Sequence, residues 1–129
     1  REGKVVCVDV QESMLRTLTK RAEKAGLASR IVTRVCEPAS LCVGDCAGTV
    51  DFALLFAVVH EVPDAGALFR DVAAALKSGG RCLVSEPRGH VTRDVFGEML
   101  AAAAAFGLAA IGTPKIAWSH SALREKRAG

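Results

Sequence analysis

No apolar stretch in this sequence is long enough to cross a bilayer as a helix. The longest uncharged run covers 99–111 and includes Gly107, whereas a spanning helix needs roughly 18 or more residues. A dense basic block is also missing. Lys and Arg number 17 against 14 Asp and Glu, for a net charge of +3. The one basic cluster, Arg124, Lys126 and Arg127, is too small to argue for nucleic acid. The five cysteines do not fall into paired spacings, which speaks against the disulfide framework of a small secreted protein. The opening residues read as strand and not as a secretory leader. What these absences leave is one globular domain, half hydrophobic and 24% charged over 129 residues. It is expected to be cytoplasmic, with neither a membrane nor a nucleic-acid partner.

Hydrophobic periodicity orders what is present. The run 4–9 is β-branched, with no turn or cap before it, an abrupt start that leads us to expect a missing upstream segment. From Gln11 the period becomes helical, with Met14, Leu15, Leu18, Ala22 and Ala25 on one side and Gly26 as the stop. A second strand is expected at 31–35, and 36–49, with Pro38, Gly44 and Gly48, reads as a loop. Residues 52–59 (FALLFAVV) are apolar without alternation, the pattern of a central parallel strand covered on both faces. A helix over 64–77 should bury Leu68, Val72, Ala75 and Leu76, and 81–86 should form the next strand. A third helix over 92–106 carries an apolar stripe at Val95, Met99, Leu100, Ala103 and Phe106, and two short strands should close the chain. Strands alternating with helices imply an α/β fold, a mostly parallel sheet with helices on both faces. The expected core includes Phe52, Leu54, Leu55, Val58, Val72, Leu76, Val84 and Met99.

In open α/β sheets, ligands sit at the carboxyl ends of the strands. Those positions are Asp9 (followed by Val10), Cys36 and Glu37, Phe56 to His60, and Glu86. Acids at such ends either accept ribose hydroxyls or are simply solvated. Cys36, Cys42, Cys46 and His60 lack the second paired spacing of a zinc site, so no metal is expected. Cys7 and Cys82 read as small core residues. His60 is the single weak candidate for catalysis, as a general base; the bland reading makes it a pocket wall or a helix entry.

Three segments carry a resemblance. GKVVCVDVQESMLRTLTKRAEKAGL (3–27), VDFALLFAVVHEVPD (50–64) and ALFRDVAAALKSGGRCLVSEP (67–87) resemble consecutive blocks of the class I S-adenosylmethionine-dependent methyltransferases, especially the small-molecule, quinone-biosynthesis type. The resemblance implies a Rossmann-like fold and S-adenosylmethionine as cofactor. It also implies a small-molecule methyl acceptor. On the matching positions, Asp9 would hold the ribose diol, Glu37 with Cys36 would face the adenine, and Phe56, Ala57 and His60 would line the methionine side and substrate mouth. The Gly79-Gly80 turn would be structural.

One feature of that family is not matched. Its members open with a strand and a glycine-rich loop whose backbone amides approach the cofactor, and nothing in 1–129 resembles that loop. The expectation is therefore a partial methyltransferase domain over 1–129, lacking the first β-loop-α unit and inactive by itself. Its unpaired sheet edges would favour self-association. Two alternatives stand beside this reading: a non-catalytic remnant or interaction module, and an NAD(P)-binding half-domain, which Asp9 would suit but VVHEVPD and LKSGGR do not.

Overall fold

The computed structural model describes residues 3–127, which group into two compact units, Arg1–Cys42 and Val43–Gly129. In the first unit, β1 (Val5–Asp9) pairs in parallel with β2 (Ile31–Val35), Asp9 opposite Val35. Helix α1 (Glu12–Lys24) connects them. Glu12 sits in its first turn and Arg21 and Lys24 in its last, matching the helix dipole, and Glu12 pairs with Arg16 at 3.2 Å. Leu15 and Ala22 are its buried residues, while Met14 is exposed. Gly26, at φ 73°, reverses the chain so that the Leu27 N–H donates to the Ala22 carbonyl at 2.8 Å.

The second unit holds a four-stranded sheet in the order β3-β4-β6-β5. Strand β3 (Val50–Phe56) runs parallel to β4 (Leu76–Pro87), as a β-α-β crossover through α2 (Ala65–Ala75) requires. After α3 (Arg93–Ala105) come β5 (Leu108–Gly112) and β6 (Ser119–Lys126). Strand β6 enters antiparallel between β4 and β5. Two of the helices start at side-chain caps. Asp64 accepts the Ala67 N–H and Thr92 the Val95 N–H, both at 3.2 Å. The result is a mixed α/β fold with the helix and strand order expected from the sequence.

The buried core of this unit includes Leu55, Val72, Leu76, Val84 and Met99. Phe52, Leu54 and Val58, expected there, are exposed, Leu54 at 61%. The reason is position. Within its sheet β3 is the terminal strand, and alternation turns Phe52, Leu54 and Phe56 to the side opposite buried Leu55. The expectation of a central strand covered on both faces is corrected accordingly. The α3 stripe is also rotated: Phe96, Met99 and Ala103 are buried, whereas Val95 and Phe106 are exposed. Phe96 packs against the ring of His120 at 5.5 Å, which draws that flank of the helix inward. Finally, β4 starts earlier than expected. Leu76 already pairs with Val50, and the register then jumps so that Phe52 faces Arg81, with LKSGG forming the irregularity.

Candidate functional site

Two carboxyl strand ends carry the candidate residues, one in each unit. In the first, Asp9 ends β1 and is half-buried. Its Oδ1 accepts the Gln11 N–H at 2.9 Å, and its carbonyl accepts the Cys36 N–H at 2.9 Å. Asp9, Val10 and Cys36 therefore share one end of the β1–β2 pair. Glu37 follows directly and is exposed. Its backbone exchanges two hydrogen bonds with Ser40, at 3.0 and 3.1 Å, in a tight turn. Burial, then the neighbouring Cys42 and Asp9, pushes the Cys36 thiol up, so it stays protonated at neutral pH. Among the described residues none donates to Asp9 Oδ2. A half-buried carboxylate with one oxygen engaged and one open is an acceptor that suits the two donating hydroxyls of a vicinal diol, so Asp9 fits a ribose.

The second unit holds a tighter arrangement. At the end of β3 the Ala57 N–H donates to the Ser85 carbonyl at 2.7 Å, and Ala57 itself takes φ 58°. That left-handed residue turns the chain out of the strand into a short 3-10 turn, Val59–Glu61. His60 is thereby brought to Glu86, which ends the neighbouring strand β4. Glu86 is completely buried. Its Oε1 accepts the His60 backbone N–H at 3.1 Å, and its Oε2 lies 2.6 Å from His60 Nδ1.

A buried carboxylate without partners would be strongly unfavourable. Here one residue supplies donors to both of its oxygens. A carboxylate only accepts, so Nδ1 is the donor to Glu86 Oε2, and Nε2 takes no part in that bond. The nearest acid to Nε2 is Glu61, at 3.8 Å. The His60 side chain is 22% exposed, so the ring is held yet reachable. The His90 ring is parallel to it and offset, with ring centroids 5.5 Å apart and an interplanar angle of 6°. Across the sheet, Glu86 is registered with His120, and Ser85 Oγ lies 3.1 Å from Ser121 Oγ. Phe56, at the same strand end, is exposed.

Chemically this is an imidazole held through Nδ1 by a buried carboxylate, with Nε2 outside that contact. From the sequence, Glu86 was expected either at a ribose or in solvent. The structure corrects both, because it is sealed from water and faces His60. His90 and His120 drew no notice in the sequence, where nothing ties EPRGH to a histidine 30 positions earlier. No three His, Cys, Asp or Glu side chains gather as a metal site among the described residues.

The family model described as a methyltransferase domain matches residues 1–84. The chain belongs to this methyltransferase family. Solved structures agree on the fold. An S-adenosylmethionine-dependent methyltransferase from Methanococcus maripaludis superposes with a TM-score of 0.81 at 13% identity, over 98% of this chain and 68% of that one. One from Aquifex aeolicus gives 0.80 at 17% identity, over 95% and 68%. A protein from Galdieria sulphuraria, described as a sarcosine dimethylglycine methyltransferase, gives 0.73 at 16% identity over 86% of this chain. The chain spans about half, 48%, of that last protein's length. No curated protein matches in sequence. The fold is thus that of Rossmann-like methyltransferases, and the cofactor of the family is S-adenosylmethionine. No helix of the described residues is long and apolar enough to cross a membrane.

Proposed function

We propose that the protein carrying this methyltransferase domain transfers a methyl group from S-adenosylmethionine to a small-molecule acceptor, with His60 as the general base. The observation that carries the reading is the fixed His60–Glu86 pair at a carboxyl strand end, in a chain whose family is methyltransferase. When bound, S-adenosylmethionine supplies an electrophilic methyl group on a sulfonium.

The chain's own residues have separable tasks. Asp9 is assigned to the ribose hydroxyls, with Val10 beside it, and Glu37 with Cys36 to the adenine. Phe56 and Ala57 are assigned to the wall around the methionine side. His60 Nε2 takes the proton that an acceptor hydroxyl or amine must lose as its lone pair is committed to the new bond. Glu86 orients the ring through Nδ1 and offsets the imidazolium charge that forms when Nε2 accepts the proton. Base catalysis of this kind contributes typically about 10²- to 10⁴-fold, and alignment of the acceptor supplies the larger remainder.

The test is calorimetric titration of the 129-residue chain with S-adenosylmethionine, S-adenosylhomocysteine and NAD. Saturable binding of the two adenosyl ligands, weakened in Asp9→Ala, supports the reading. Because the sequence offers no glycine-rich loop for the methionine carboxylate and ammonium, binding in the millimolar range is expected. Losing about 4 kcal/mol of charged contacts takes a micromolar ligand there. Binding of NAD in preference to S-adenosylmethionine, or of neither ligand, overturns it.

A further inference from the structure

We propose that His90 is a positioning residue for His60, fixing the plane of the imidazole that Glu86 fixes at one edge. The inference rests on the reading of His60 as the proton acceptor. The hydrogen bond from Nδ1 to Glu86 ties down a single ring atom. A ring held at one nitrogen can still rock about that contact, and Nε2, on the far side, then sweeps the widest arc. A flat partner against the ring face removes this motion, because offset aromatic stacking has a preferred separation and tilt. The 5.5 Å centroid distance and 6° interplanar angle are those of such a stack.

The local chain explains how an exposed side chain can serve as a clamp. His90 closes the turn after β4, where its own N–H and that of Val91 both donate to the Pro87 carbonyl, at 3.1 and 3.0 Å. Val91 is buried and anchors the turn, and Pro87 directly follows Glu86 in the same strand. Clamp and carboxylate are therefore set by one rigid segment, 86–91, which meets His60 on two sides. A phenyl ring would provide the same surface. The role thus requires a flat ring at position 90 and no titration there.

The experiment is imidazole ¹⁵N NMR on the full 129-residue chain, comparing wild type, His90→Ala and His90→Phe. In the wild type, His60 should show one tautomer with a slowly exchanging Nδ1 proton and a ring-to-ring NOE to His90. In His90→Ala, exchange of that proton should accelerate about fivefold, the factor that losing a stacking contact of ~1 kcal/mol gives. His90→Phe should restore the wild-type rate to within about twofold, since the ring face is retained. A purely structural role would not be rescued selectively by a flat ring. If His90→Ala leaves the exchange rate and tautomer unchanged, or the wild type shows no ring-to-ring NOE, the assignment is wrong. Because this readout needs neither cofactor nor acceptor, it is independent of the titration above. A fixed, His90-dependent imidazole in a chain that binds no adenosyl ligand sinks the methyltransferase reading and leaves the clamp standing.

Discussion

Glu86 and His60 are unequal partners, and the inequality makes a prediction. Glu86 is fully buried, whereas His60 is 22% exposed. Removing the imidazole with His60→Ala strands a buried carboxylate, at a cost of about 3–5 kcal/mol. Glu86→Gln keeps an acceptor for one N–H and should cost only about 1–2 kcal/mol. Urea unfolding of the two variants should give that order, and equal losses would mean that the carboxylate is not held by His60. Cys82 provides a second residue-scale test. Burial raises its thiol from the ordinary 9.0 to about 12, against the opposing pull of Arg124. Below pH 9 the thiol is protonated in both folded and unfolded chains, so it is neutral to stability's pH dependence there. Between 9 and about 12 the unfolded thiol ionises first, so its contribution to stability is lost as pH rises. Denaturant midpoints across that range should fall, and replacing Cys82 by Ala should flatten the fall. Exposed Cys42 should label rapidly with a thiol reagent in the native protein, while Cys82 labels only after unfolding.

At the scale of elements, two backbone positions hold the second site in place. Ala57 occupies the left-handed region at φ 58°, where a Cβ is strained. Ala57→Gly should be tolerated and keep the His60–Glu86 contact, whereas β-branched Ala57→Val should cost about 1–3 kcal/mol. Thermal unfolding together with the His60 imidazole signal checks both. Gly80 sits in the register jump of β4. A Cβ there would meet the Lys77 carbonyl oxygen at 2.8 Å and that of Val50 at 3.1 Å. Backbone oxygens cannot swing aside as side-chain ends do, so Gly80→Ala should destabilise by about 1–3 kcal/mol. A neutral outcome would show that the bulge can relax. The same bulge explains why the sequence places the start of β4 late: Ser78-Gly79-Gly80 reads locally as a turn, and only pairing with β3 draws Leu76 into the sheet.

At the largest scale, β3 presents an exposed apolar row to its surroundings. Phe52, Leu54 and Phe56 recur at every second position of a terminal strand, each more than half exposed. Such a strand offers both hydrophobic surface and unsatisfied backbone groups to other molecules. Concentrating the chain should raise its weight-average mass in sedimentation, and Leu54→Lys should lower it. A strictly monomeric wild type would show that this face attracts nothing.

What the sequence determined by itself was local. The existence of the three helices, the glycine stops after α1 and α3 and the strand at 31–35 follow from periods and local turn signals, forces exerted by neighbours a few residues away. The VDV, VVHEVPD and LKSGGR segments, taken together in that order, likewise suggested the family that residues 1–84 match. The tertiary structure decided what depends on distant partners. An apolar run announces that it prefers burial, but whether anything covers Phe52 and Leu54 depends on where β3 falls in its sheet. An acid at a strand end reads alike whether it meets solvent or a ligand. Glu86 becomes the holder of an imidazole because a parallel β3–β4 pairing and a left-handed Ala57 bring His60, 26 residues earlier, onto both of its oxygens. Spacing along the chain carries no record of that meeting, since the crossover through α2 erases it.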